Sequence, residues 1–218
     1  MEDKSADKKR LWLSIAFPLL FLLFIWMVWF VEIGLDLDFS RYGLFPRKLS
    51  GLKGILFSPL IHANFRHLAD NSVPLLTLMG AIFYFYPSLA LRIFFLTWLM
   101  SGIWVWFGGR EAYHIGASGL IYGFAAFLFL SGIIRNYIPL LAISLLVVFL
   151  YGSLVWGVFP IKEEISWESH LLGSIAGVIL AVHYRKFGPQ AKKYDWEDEE
   201  DGEEEDFENP EQEFPEVR

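Results

Sequence analysis

Gly116-Ala117-Ser118-Gly119 opens an apolar run that continues through Leu130, setting a hydroxyl among residues almost without bulk at the head of a segment suited to hydrocarbon. Polar groups inside membrane-spanning segments are expensive, face the bundle interior and often mark functional sites. Ser118 has companions of complementary chemistry. His67 and Asn71 lie near the start of a second apolar stretch, and His170 near the start of a third that continues through Gly173 and Gly177. A candidate nucleophile, a candidate base and two hydrogen-bond donors thus fall on three different helices.

The rest of the chain fits that setting. Its 218 residues are 55% hydrophobic and 18% aromatic, too apolar for a soluble domain of average usage. A helix needs about 20 mostly apolar residues to cross the hydrocarbon layer. Six stretches meet that demand: Leu11–Val31, Phe65–Tyr86, Ser88–Phe107, Ser118–Ile134, Ile138–Trp156 and Glu168–Lys186. Trp12, Trp104, Trp106, Trp156 and Trp167 sit where interfacial anchors belong. The expected fold is an all-α, six-transmembrane-helix membrane protein with a long external loop between helices 1 and 2.

Lys4, Lys8, Lys9, Arg10, Arg92, Arg135, Arg185, Lys186, Lys192 and Lys193 fall on the side of the termini. Arg41, Arg47, Lys48, Lys53, Arg66, Arg110 and Lys162 fall on the other, so the balance favours cytoplasmic termini in a plasma (inner) membrane. Asp195 to Glu216 is dominated by carboxylates, with no Lys or Arg, and more than accounts for the net charge of −7. Such a run cannot bury enough apolar surface to fold alone. The expected division is therefore a cytoplasmic N-terminus (1–10), one membrane domain (11–188) and an acidic disordered cytoplasmic tail (189–218). The connection from Glu32 to Asn64 is long for a loop, and its apolar pieces predict a folded cap partly in the interface.

Cysteine is absent, which removes disulfides, thiol nucleophiles and thiolate metal sites. No phosphate loop, dinucleotide fingerprint or basic nucleic-acid patch occurs, so neither cofactor nor nucleic acid is expected. On the second span Asn64 is a natural N-cap. His67 and Asn71, at i and i+4, then share one helical face and can donate toward a common point. His62 precedes the helix and reads as a loop residue, and Asp70 as a solvated or capping charge. Gly119 and Gly123 on the fourth span, and His170, Gly173 and Gly177 on the sixth, make two small-residue stripes that let backbones approach. Such an approach brings Ser118 within the ~3 Å that proton abstraction by His170 requires.

Gly116-Ala117-Ser118-Gly119 with Tyr122, His62-xxxx-His67-xxx-Asn71 and His170-xx-Gly173-xxx-Gly177 together resemble the rhomboid family of intramembrane serine proteases, over roughly Gly43 to Lys186. The phrases Gly43-Leu44-Phe45-Pro46-Arg47 and Ser58-Pro59-Leu60-Ile61-His62 resemble it too. The resemblance implies a rhomboid-like bundle with Ser118 as nucleophile and His170 as base. It implies an oxyanion site made by His67, Asn71 and the Ser118 amide, Gly116 shaping the turn, and Tyr122 stacked on the base. Gly119, Gly173 and Gly177 support the dyad by close packing. The implied substrate is a single-span transmembrane protein in the lipid bilayer, cleaved where its helix unwinds near the external end. Gly157 to Trp167, with Val158, Phe159, Pro160 and Ile161, is suited to be an apolar lid. Two departures stand out. The first external loop has no Trp-Arg pair, and Ser166 and Ser169 precede His170 where members often have Gly and Ala, which is expected to loosen the helix contact slightly.

Two other classes compete. A catalytically inactive rhomboid-like protein would bind or escort membrane clients with the same fold, but the intact Ser118, His170, His67 and Asn71 weigh against it. A metal-dependent protease or transporter could use His62, His67 and His170, yet no His-Glu-xx-His spacing exists, so no metal is expected.

Overall fold

Asn64 starts the second long helix because its side-chain oxygen accepts the His67 amide at 2.9 Å. That bond satisfies one of the amides that every helix start leaves without an intrahelical partner. The computed structural model describes residues 4–150, 157–160 and 165–189. These contain helices α1 (Lys4–Gly34), α2 (Gly54–Phe57), α3 (Phe65–Phe85), α4 (Ala90–Gly108), α5 (Ser118–Ile134), α6 (Ile138–Leu150) and α7 (Trp167–His183). No strand occurs among the described residues, only an isolated antiparallel bridge between Leu44 and His114.

Each of the six expected stretches holds a helix, with ends displaced by a few residues. The helical part of α1 begins at Lys4, so residues 4–10, expected as a separate N-terminal segment, continue it. Arg10 explains part of that extension. Its guanidinium donates to the Tyr84 carbonyl at 2.8 and 3.0 Å and lies 4.7 Å from the Tyr84 ring, tying the start of α1 to the end of α3. The last residues of the expected fifth span, up to Trp156, and the acidic tail from 190 onward lie outside the described residues.

Among the described residues, three helices are long and apolar enough to cross a membrane: Arg10–Gly34, Phe65–Phe85 and Ala90–Gly108. The apolar helices Ser118–Ile134 and Ile138–Phe149 are shorter. At about 1.5 Å per residue, the 17 residues of α5 span roughly 25 Å, less than the ~30 Å of hydrocarbon. A central helix tolerates this because it meets side chains rather than lipid. Leu120, Ile121, Phe124, Phe127 and Leu128 are all buried. Phe94 of α4 gathers three rings from two other helices, at 5.4 Å from Phe17 and 5.0 Å from Phe21 of α1 and 6.2 Å from Phe124 of α5.

The connection between α1 and α3 is folded. Three short 3-10 turns (Ser40–Tyr42, Leu49–Gly51 and Ser58–Leu60) flank α2 in it, and Leu44, Ile61 and His62 are buried. Two amide bonds of 2.8 and 3.0 Å fasten Leu44 to His114, in the loop that precedes α5.

The contact that matters most is between α5 and α7. A methyl group on Gly173 would sit 2.2 Å from the Gly119 carbonyl oxygen, and one on Gly177 would sit 2.0 Å from that of Gly123. The two backbones therefore touch, as small-residue stripes allow where no hydrophobic force presses helices together. Buried Arg135 closes the far end, donating to the Ser131 and Tyr184 carbonyls at 3.3 and 2.6 Å and also to that of Phe187.

Candidate active site

Ser118 is the first residue of α5, so its backbone N–H has no intrahelical acceptor. The turn before it is set by Gly116, whose φ of +107° a side chain rarely adopts. Its amide donates to the Ser58 carbonyl at 2.8 Å. A methyl group there would also lie 2.7 Å from His67 Nε2 and 3.6 Å from Asn71 Nδ2. The glycine thus keeps open the space onto which both α3 side chains face.

His170 enters from the first turn of α7. Its Nε2 lies 2.8 Å from Ser118 Oγ, and its Nδ1 lies 2.8 Å from the Gly157 carbonyl oxygen. A carbonyl can only accept, so in the neutral ring Nδ1 carries the proton and Nε2 offers its lone pair to the serine O–H. Tyr122 lies parallel to the imidazole, with centroids 4.1 Å apart and an interplanar angle of 8°. Carbonyl and aromatic face together hold a base that has no carboxylate partner. The ring is 8% exposed, which excludes most competing water from it.

Asn71 is 7% exposed, and its Nδ2 has no hydrogen-bond partner among the described residues. A buried donor without an acceptor calls for an explanation. Here it faces the gap beside Gly116, where a transient acceptor would find it. His67 and Asn71 thus join Ser118 at one end of the bundle, as the spacing predicts. Asp70 stays exposed, 3.7 Å from Arg66.

His62 is more central than its loop position suggests. It is 3% exposed, its ring meets that of His67 at 5.0 Å, and its Nε2 accepts the Ala117 amide at 3.4 Å. Burial foremost, then the neighbouring His67, pushes its pKa from 6.5 down to about 3 against the opposing pull of the Leu60 backbone, so it stands neutral beside the serine loop.

Some residues at the site escaped the sequence analysis. Gly157 contributes a backbone carbonyl, which any residue type supplies, so no letter in the sequence marks it. Its own lack of a side chain is the available sign, since a methyl group there would sit 2.0 Å from the Tyr122 hydroxyl. Arg110, His114 and Glu168 also converge here, Glu168 Oε1 accepting the Arg110 amide at 3.2 Å. A charge at a span boundary and a histidine ahead of Gly116 were the available signs. Ser166 and Ser169, expected to loosen the helix contact, instead bond to each other at 2.6 Å, and the Ser169 carbonyl packs against Gly119. A cavity of about 20 Å³, lined in part by Ser58, Ser101, His114 and Ser169, lies behind Gly116 and Gly119. Among the described residues, no group of three or more His, Cys, Asp or Glu could hold a metal ion.

The Rhomboid domain family model matches residues 50–187, a stretch that contains all of these groups. Uncharacterized proteins of Mycobacterium tuberculosis and Mycobacterium bovis are each 35% identical over 183 residues, spanning 78% of this chain and 75% of theirs. An uncharacterized protein of Mycobacterium leprae is 36% identical over 155 residues, spanning 66% of this chain and 60% of its own.

Proposed function

Because the chain belongs to the rhomboid family and is a multi-pass integral membrane protein, we propose that it is an intramembrane serine endopeptidase working through a Ser118–His170 dyad. The 2.8 Å contact between Ser118 Oγ and a His170 Nε2 whose tautomer is set by Gly157 carries the reading. His170 takes the hydroxyl proton as Ser118 attacks the scissile carbonyl. The tetrahedral oxyanion then draws on donors already in place: the Ser118 amide, His67 and the unpartnered Asn71 Nδ2. On collapse, His170 returns the proton to the leaving amine, and a water repeats the sequence to free the enzyme.

The remaining expectations belong to the same reading. Six helices span the bilayer with both termini cytoplasmic, and the dyad lies toward the external ends of α5 and α7. The substrate is a single-span membrane protein, whose helix must unwind to present extended backbone. Val158, Phe159 and Pro160 belong to an apolar lid over the site, Ile161 of the same segment lying outside the described residues. Reconstitution with a tagged single-span substrate is the test. Wild type should cleave it, Ser118→Ala and His170→Ala should each abolish turnover, and the double variant should be no worse, because residues of one catalytic unit are strongly non-additive. Binding without cleavage by wild type would instead support the non-catalytic, client-escorting reading.

A further inference from the structure

Glycine stripes let α5 and α7 approach, but an apolar contact between two smooth surfaces leaves sliding and rotation weakly opposed. The dyad demands more, since a reacting pair must be held within about 0.5 Å of its productive geometry. Directional bonds supply that restraint, and they cluster where the two helices begin.

Glu168, two residues before His170, is 4% exposed, and its Oε1 accepts the Arg110 amide at 3.2 Å and lies 3.6 Å from the Arg110 guanidinium. That guanidinium also donates to the Ile165 carbonyl at 2.7 Å. Beside this pair runs a second connection. His114 is 2% exposed, with Nε2 3.1 Å from the Arg110 carbonyl, Nδ1 2.5 Å from Ser166 Oγ, and Ser166 Oγ in turn 2.6 Å from Ser169 Oγ. The carbonyl can only accept, so for a neutral ring the direction of each bond follows. His114 Nε2 donates to Arg110, Ser166 donates to His114 Nδ1, and Ser169 donates to Ser166.

Each of the bonds just given joins the loop leading into Ser118 to the turn leading into His170, or braces one of those two segments. None of these bonds is made to the Ser118 or His170 side chain. We infer that Arg110, His114, Ser166, Glu168 and Ser169 form a positioning assembly that fixes the register of Ser118 against His170. The inference rests on the protease reading and specifies what holds its reacting atoms at bonding distance.

The test uses the full-length protein in detergent. Glu168→Gln keeps the side-chain shape and removes its charge, whereas Ser166→Ala cuts the hydroxyl chain without altering any charge. Both should lower kcat and the rate at which a serine-reactive phosphonate labels Ser118, together and by roughly 10- to 100-fold, while KM stays within about twofold. Ser144→Ala serves as the control. It removes a buried hydroxyl bonded to the Leu140 carbonyl at 3.0 Å on α6, a helix that carries neither the dyad nor the assembly, and should leave both rates unchanged. If Glu168→Gln fails to fold, Ser166→Ala decides alone. Wild-type kcat and labelling in folded Ser166→Ala would overturn the positioning role while leaving the protease reading intact. A wild-type protein that neither cleaves nor is labelled would overturn the protease reading and this inference with it.

Discussion

Asn71→Ala separates stabilising a transition state from holding a fold. Asn71 is a buried residue of α3 whose Nδ2 has no partner among the described residues, so truncation removes no hydrogen bond seen for that nitrogen there. An interhelical strut would behave otherwise. Membrane hydrogen bonds average about 0.6 kcal/mol, and that loss would appear in the thermal midpoint. Here the midpoint should hardly move, because deleting an unsatisfied buried donor offsets the small void left behind. The catalytic effect should be large, since removing one oxyanion donor costs on the order of 10²–10³ in kcat, or about 2.7–4 kcal/mol. KM should change little, because the donor is used only once negative charge has formed. The assay is kcat, KM and thermal unfolding on one purified sample. A near-normal kcat would refute the oxyanion role, and so would an activity loss that only tracks the folded fraction.

Other expectations follow from the same geometry. Gly177→Ala would place a methyl group 2.0 Å from the Gly123 carbonyl, forcing two backbones apart, whereas Gly80→Ala meets nothing nearer than 3.7 Å. Thermal unfolding should show the first destabilised by about 1–3 kcal/mol with turnover lost, and the second near neutral. His62, held down at about 3 against 6.5 in the unfolded chain, stays neutral when folded, so its contribution is complete above pH 6.5 and is lost as pH falls toward 3. Stability should therefore drop by up to about 1.4 kcal/mol per pH unit across that window, His62→Gln should flatten the drop, and an equally steep profile in the variant would disprove the assignment. For topology, protease added outside sealed vesicles should spare both termini, and digestion of an N-terminal tag from that side would reverse the proposed orientation.

The positions of the helices were legible because they are local, while their ends moved by a few residues and α1 began at Lys4 rather than Leu11. Asn64 is a cap wherever it precedes an apolar run, and runs such as 118–134 have no stable home but a helix in hydrocarbon or at a bundle's centre. The stripes of Gly119 and Gly123, and of Gly173 and Gly177, also announced which helices would meet, since glycine at that spacing has little use on a lipid-facing surface. Ser166 and Ser169 show where such reasoning stops. Measured against the residue types usual at those positions they looked like a weakening, and the structure bonds them to each other and to His114.

By itself, then, the amino-acid order determined an all-helical membrane chain and the side chains that face one another across it, because periodicity and side-chain chemistry are properties of neighbours in sequence. Only the tertiary structure decided how the base is held and what lies behind it. The Gly157 carbonyl on His170 Nδ1, the burial of His62 and the Arg110–Glu168 pair join residues far apart in the chain. A carbonyl has no letter of its own, and a charge or an imidazole looks the same in sequence whether water or another helix surrounds it. Its partner and its solvation are set when the backbones close, and those two quantities govern what the group can do.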